Sequence, residues 1–155
     1  MPIVNRSEVK KTIDKLRTDH KIIVFTNGCF DIIHRGHIEY LREAKLSGDI
    51  LIVGLNSDAS IRRIKGEPRP YQDEQDRAAI LDAMEMVDLV VIFDEDTPLD
   101  LICKLKPDII VKGGDYDSHL IVGANEVVCW GGSVKILPFL KGYGTSKLVE
   151  KILER

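Results

Sequence analysis

The chain has no apolar run approaching 18 residues, which excludes a helical membrane span. Its opening residues, Met1-Pro2-Ile3-Val4-Asn5-Arg6, lack the apolar segment of a signal peptide. Cysteine is scarce: Cys29, Cys103 and Cys129 are odd in number and lack paired metal spacing. Reduced thiols in a cytoplasmic protein are therefore expected. Neither charge sign dominates, with 22 Lys and Arg against 25 Asp and Glu and a net charge of −3. That argues against general nucleic-acid binding, which needs a basic face. The Gly-x-Gly-x-x-Gly dinucleotide motif and the Walker phosphate loop are both missing, which lowers the dehydrogenase and kinase alternatives. No repeat, low-complexity stretch or domain linker interrupts the chain, and no Ser-His-Asp constellation is identifiable from spacing.

What is present fits one globular domain. At 155 residues, with 44% hydrophobic and 30% charged residues, the chain is long enough for a substantial core. Apolar runs recur at Ile22–Phe25, Ile50–Leu55, Leu89–Phe93, Ile109–Val111 and Val134–Leu137. Helical patterns lie between them. This alternation predicts a doubly wound, Rossmann-like α/β domain with a five-stranded, mainly parallel sheet. A first helix is expected over Ser7–Thr18, capped by Ser7, so residues 1–20 form an N-terminal helix and 21–155 a core. Further helices are expected after His37, over Gln75–Met84, from Thr97-Pro98 with Thr97 as cap, and over Ile121–Trp130 before Gly131-Gly132. A last helix is expected from Thr145 or Ser146 through Ile152. The polar stretch Arg62–Glu74, with Gly66, Pro68 and Pro70, reads as a mobile loop.

The most informative feature is the quartet His34-Arg35-Gly36-His37, placed after the first apolar run and the turn-forming pair Asn27-Gly28. It lies where the carboxyl end of a strand meets a helix start. Ligands bind at such places in open α/β sheets. Free N–H groups and a positive dipole end suit phosphate there, and Gly36 would allow close backbone approach. The plain alternative is two surface histidines at a helix start. A metal site would need further ligands than these histidines and Asp31.

The run Thr26-Asn27-Gly28-Cys29-Phe30-Asp31-Ile32-Ile33-His34-Arg35-Gly36-His37 resembles the first signature of the HxGH nucleotidyltransferase superfamily. Gly142-Tyr143-Gly144-Thr145-Ser146-Lys147 resembles its second signature, a Ser/Thr-rich turn opening a helix. Lys141 and Gly144 depart from that second pattern: one hydroxyl is lost, and a positive charge replaces a negative one. Within the superfamily the likeness is greatest to the adenylyltransferases that form ADP-heptose, as in one half of the two-domain heptose enzymes without the kinase half. The supporting stretches are Asp49–Asp58, Arg62–Pro70, Glu95–Leu99 and Val111–Tyr116.

The resemblance implies a reaction and a set of roles. AMP would pass from ATP, with magnesium held through phosphates, to D-glycero-β-D-manno-heptose 1-phosphate. ADP-heptose and pyrophosphate would result. Catalysis would rest on His34, His37 and Lys65. Thr26, Asn27, Gly28, Phe30, Gly36, Lys112, Gly114, Gly144, Thr145 and Ser146 would bind nucleotide. Asp31, Asn56, Asp58, Arg69, Arg77 and Asp115 would serve the sugar phosphate side. A separate heptose kinase upstream and a homodimer are also implied, with no nucleic-acid or membrane partner.

Several residues keep a second reading. Lys65, near Arg62, Arg63 and Arg69, is either part of a solvated basic loop or of a cationic flap over the triphosphate. Arg77 either reaches phosphate or pairs with Asp73 on a helix surface. Asp31 either accepts backbone N–H bonds in its loop or helps place magnesium. Asp58 is expected to cap a helix. Lys112-Gly113-Gly114-Asp115-Tyr116 is either a ligand-approaching turn or a plain Gly-Gly turn. Two rival functions are a glycerol-3-phosphate cytidylyltransferase and a non-catalytic nucleotide-binding module.

Overall fold

A computed structural model describes residues 8–115 and 117–154. The expected cap Ser7 and the residue Tyr116 lie outside the described residues. Five strands form one sheet: β1 (Ile23–Gly28), β2 (Ile50–Asn56), β3 (Leu89–Phe93), β4 (Ile109–Gly113) and β5 (Ser133–Leu137). Their order is β3-β2-β1-β4-β5, and every pairing is parallel. The helices are α1 (Val9–Thr18), α2 (Arg35–Lys45), α3 (Asp58–Lys65), α4 (Glu74–Asp82), α5 (Leu99–Leu105), α6 (Ala124–Cys129) and α7 (Thr145–Leu153). A 3-10 turn spans Ser118–Leu120.

The strands are apolar on both faces because both are covered, as parallel sheets require. Side chains alternate across the sheet. Ile23, Phe25 and Ile52 point into one core with Val9, Ile13, Leu101, Ile102, Leu105 and Val127. Val24, Leu51, Val53 and Leu55 point into the other, with Leu41, Ala44, Ala78 and Leu81. From central β1 the chain steps outward to β2 and β3, then crosses back to β4 and β5. The connections leaving β1 and β4 therefore diverge to opposite sides, which opens a crevice at the carboxyl ends of these two neighbours.

Several local expectations are corrected. Asn27-Gly28 was expected as a turn but continues β1, because both residues pair with β2 through Asn27–Gly54 and Gly28–Leu55. Tertiary pairing overrides their turn preference. The expected mobile loop Arg62–Glu74 is partly helical. Ser57 accepts the Ser60 N–H and starts α3, Ile61 and Ser60 are buried, and Gly66 at φ 73° ends the helix. Lys65 therefore closes a helix rather than riding in a loop. Asp58 is not the cap; it follows Ser57 in the first turn. Thr97 is not a cap either, since α5 begins at Leu99 after Pro98 with no side-chain capping bond. The helix expected over Ile121–Trp130 shortens to α6. Gly144, not Thr145 or Ser146, occupies the position before α7.

Candidate active site

His34 stands in extended conformation (φ −137°, ψ 170°) immediately before α2, and His37 lies in its first turn. Their rings stack with centroids 3.9 Å apart and 25° between planes. The His34 backbone N–H donates to Nδ1 of His37 at 3.3 Å. A neutral His37 accepting there carries its proton on Nε2, so that nitrogen is the donor left for a ligand. Burial pushes the His37 imidazole down to about 4, helped by the nearby positive charges of His34 and Lys65. Burial also lowers His34. Both rings are thus neutral hydrogen-bond donors at physiological pH. Phe30, at φ 45°, packs against His37 with ring centroids 5.4 Å apart.

Gly36 sits at a close approach. A Cβ there would come to 3.0 Å from the His34 ring and 3.0 Å from Cβ of Tyr143. Its bareness lets the segment before α7 approach the histidines. The Thr145 hydroxyl then donates to the Ile32 carbonyl at 3.3 Å, across 113 residues of chain. The two signatures are joined by that bond. Tyr143 closes the contact, its ring centroid 6.1 Å from that of His34.

The crevice between β1 and β4 is bridged by Lys112, whose ammonium donates to the Asn27 side chain and, at 3.4 Å, to its carbonyl. Burial lowers this ammonium to about 8, against a smaller opposing pull from Cys29. Behind it, the Tyr40 hydroxyl donates to the Val111 carbonyl at 3.0 Å, so it accepts from Thr26 at 2.7 Å. Burial raises the Tyr40 phenol to about 12 and keeps it neutral, despite the Thr26 bond. The resulting cavity has a volume of about 1180 Å³. That exceeds the roughly 300–1,000 Å³ of a usual small-ligand site and leaves room for two substrates.

Of the residues singled out in the sequence, His34, Gly36, His37, Asn27, Gly28, Phe30 and Asp31 line this cavity. So do Lys65, Arg69, Lys112, Asp115, Gly144, Thr145 and Ser146. Thr26, Asn56, Asp58, Arg77 and Gly114 stand outside its lining. Thr26 is fully buried, with its hydroxyl committed to Tyr40. Asn56 donates to Ser60 at 3.0 Å and is buried. Arg77 is 0% exposed and neither reaches the cavity nor pairs with Asp73. Its guanidinium donates to the carbonyls of Gln72 (3.0 Å), Cys29 (2.7 Å) and Asn56 (2.9 Å) and to the Asp58 carboxylate (2.7 Å). A buried cation needs such partners, and four of its five N–H donors are committed to them, away from the cavity. Gly113 rather than Gly114 faces the ligand space, where a Cβ would come within 2.8 Å of Phe139 and 3.2 Å of Tyr40. Tyr40 and Tyr143 were missed in the sequence. Tyr40 follows His37 at helical spacing, the signal that could have marked it.

Among the described residues, no grouping of three or more His, Cys, Asp or Glu could hold a metal ion. Asp31, three residues before His34, already faces Arg69 at 2.8 Å and two backbone N–H groups.

Residues 25–148 match the family described as cytidylyltransferase-like. The chain belongs to this family. It is an HxGH nucleotidyltransferase domain, and among its relatives is the bifunctional protein HldE of Pelobacter propionicus, 51% identical over 99% of this chain and 31% of that protein. The HldE of Campylobacter jejuni strain RM1221 is 54% identical over 99% of this chain and 32% of that protein. The chain thus spans about a third of the length of these curated relatives. Among solved structures, the lipopolysaccharide core biosynthesis protein from Thermoplasma volcanium superposes with a TM-score of 0.64 at 34% identity, covering 80% of this chain and 99% of that one. A pantoate-beta-alanine ligase from Francisella tularensis shares the fold with a TM-score of 0.59 at 13% identity, over 99% of this chain and 80% of that one.

Proposed function

We propose that this nucleotidyltransferase domain transfers AMP from ATP to D-glycero-β-D-manno-heptose 1-phosphate, giving ADP-heptose and pyrophosphate. The observation that carries the reading is the neutral, stacked His34–His37 pair facing the start of α7 at the crevice between β1 and β4. The likeness to the HldE proteins over nearly the whole chain supports the choice of sugar and nucleotide.

A phosphate oxygen of the sugar 1-phosphate attacks the α-phosphorus of ATP in line. The bond from that phosphorus to the bridging oxygen breaks, and pyrophosphate leaves with the electron pair. The nucleophile is already anionic, so no strong general base is needed. The protein aligns two anions and stabilises the charge that builds on the phosphoryl oxygens. Nε2–H of His37 and the His34 ring donate to oxygens at the α-phosphorus. Ser146 and the free N–H groups opening α7 hold the β and γ side, while Thr145 uses its hydroxyl to anchor that turn. Lys65 and Arg69 lie over the departing pyrophosphate. Lys112 and Asp115 stand at the β4 side of the cavity. The nucleotide would be taken as MgATP, the magnesium brought with the substrate supplying positive charge against its phosphates.

The sugar 1-phosphate is supplied by a kinase activity acting on the anomeric hydroxyl. The domain works in the cytoplasm as a homodimer. The exposed apolar side chains Ile152 and Leu153 on α7, a helix with no buried residue among those described, support that assembly. No helix among the described residues is long and apolar enough to cross a membrane.

Pyrophosphate release tests the reading, with ATP or CTP paired in turn with heptose 1-phosphate or glycerol 3-phosphate. Turnover confined to ATP and heptose 1-phosphate is expected. Turnover with CTP and glycerol 3-phosphate would replace it with the cytidylyltransferase reading. Nucleotide binding with no turnover in any pair would leave a binding module.

A further inference from the structure

We propose that Asp31 is a positioning residue: its carboxylate fastens the segment carrying Arg69 to the histidine loop and so sets where the cations Lys65 and Arg69 stand over the cavity. The inference rests on the roles given to the histidines and Lys65 above.

Asp31 lies in the loop that carries His34 and is 2% exposed. One carboxylate oxygen accepts the N–H groups of Tyr71 (2.9 Å) and Gln72 (3.0 Å). The other accepts the Tyr71 N–H at 3.1 Å and meets Nε of Arg69 at 2.8 Å. Arg69 is further steadied by the Tyr71 ring, its guanidinium carbon 4.9 Å from the centroid. Gln72 is held from its other side as well. Its carbonyl accepts from Arg77 at 3.0 Å, and Arg77 also grips the Cys29 carbonyl at 2.7 Å. Residues 69–72 are therefore pinned twice to the loop 29–31. Across Gly66, the exposed Lys65 is the last residue of α3, whose buried Ser60 and Ile61 hold the body of the helix rather than its end. Residues 66–68 separate Lys65 from the pinned segment, and Lys65 and Arg69 both line the cavity with His37. A buried carboxylate surrounded by these donors has no face open to a metal ion.

A merely structural Asp31 and a positioning Asp31 differ in a double-mutant cycle with Lys65. The two residues make no mutual contact, and such pairs ordinarily add. Asp31→Asn keeps the shape but removes the charge and turns an amide toward the N–H donors. It is expected to lower kcat by about a hundredfold, the cost of a misplacement near 1 Å. In a Lys65→Ala background, the same change is expected to cost a factor at least about fivefold smaller. A smaller difference than that would overturn the proposal. Hydrogen exchange gives an independent readout without substrate. The Tyr71 and Gln72 amides are expected to be protected in the wild type and to lose protection in Asp31→Asn, and unchanged protection would also overturn it. Should Asp31→Asn not fold, Arg69→Lys, which takes the guanidinium away from Asp31 and the Tyr71 ring, replaces it in the double-mutant cycle, judged by the same inequality. If the wild type turns over no heptose 1-phosphate, the functional reading fails. The cycle is then read on MgATP affinity, where the same inequality judges Asp31.

Discussion

His37 is a histidine deprived of its usual titration. Its Nδ1 is occupied by the His34 N–H, and burial holds its pKa near 4, so Nε2 donates across the whole physiological range. Replacing His37 by Ala is expected to lower kcat by about a hundredfold, the scale of losing one oxyanion donor. Pyrophosphate release measures it, and near-normal turnover would remove His37 from the mechanism. The same depression has a consequence for stability. Below its ordinary pKa of 6.5 an unfolded His37 takes up a proton, while the folded one stays neutral to about 4. The unfolded state binds more protons in that window, so stability rises with pH from about 4 to 6.5 and is complete above it. Urea midpoints of His37→Gln should show a shallower pH slope than the wild type between these values. An unaltered slope would assign the acid sensitivity elsewhere.

The start of α2 combines two opposing demands. Gly36 costs helix stability of roughly 0.5–1 kcal/mol relative to Ala, yet a Cβ would press on the His34 ring and on Tyr143. Gly36→Ala is therefore expected to leave the melting temperature nearly unchanged, since propensity gained offsets packing lost. Its kcat should fall at least about tenfold as the histidine pair and the α7 turn separate. A loss of stability with intact kcat would mean that the glycine serves only packing. At the start of α4, Arg77 joins the loop after β1, β2, α3 and the 66–73 loop through four acceptors. Arg77→Met leaves the Asp58 carboxylate and three carbonyls unpaired. It is expected to cost about 3–5 kcal/mol in urea unfolding, the range for breaking a buried ion pair. A cost below about 1 kcal/mol would show that water replaces the guanidinium.

The sheet order β3-β2-β1-β4-β5 accounts for the cavity's position, because only at the β1–β4 boundary do the outgoing connections part. The segment opening α7 is joined to the histidine loop by a side-chain bond, Thr145 to Ile32, while Lys112 ties β4 to Asn27 on β1. A polyanion bridging these segments binds the folded state alone. MgATP at a hundred times its dissociation constant is expected to add about 2.7 kcal/mol to unfolding free energy. Protection in hydrogen exchange should concentrate at residues 34–37 and 143–147. A thermal shift without protection there would place the nucleotide elsewhere.

The α/β class, the five strands and both nucleotide signatures were legible from local pattern. Buried parallel strands are continuous apolar runs, and phosphate-binding turns need glycine and hydroxyl residues in sequence. The histidine pair was legible for the same reason, since both rings come from one short stretch. The roles of Arg77, Asp58, Asn56 and Thr26 were not. Arg77 and Thr26 end in the interior on partners distant in sequence, Cys29 and Tyr40, Asp58 ends on Arg77, and Asn56 turns to Ser60 on α3. An arginine written for phosphate and one written for buried carbonyls look alike until the chain closes around them. Helix α3 was hidden likewise, because only eight residues, three of them basic in its last turn, are held by docking of Ile61 and Ser60 rather than by propensity. Local chemistry is written in neighbouring residues. Desolvation, tautomer choice and the pairing of buried charges depend on which distant groups exclude water together, and that is a property of the folded molecule.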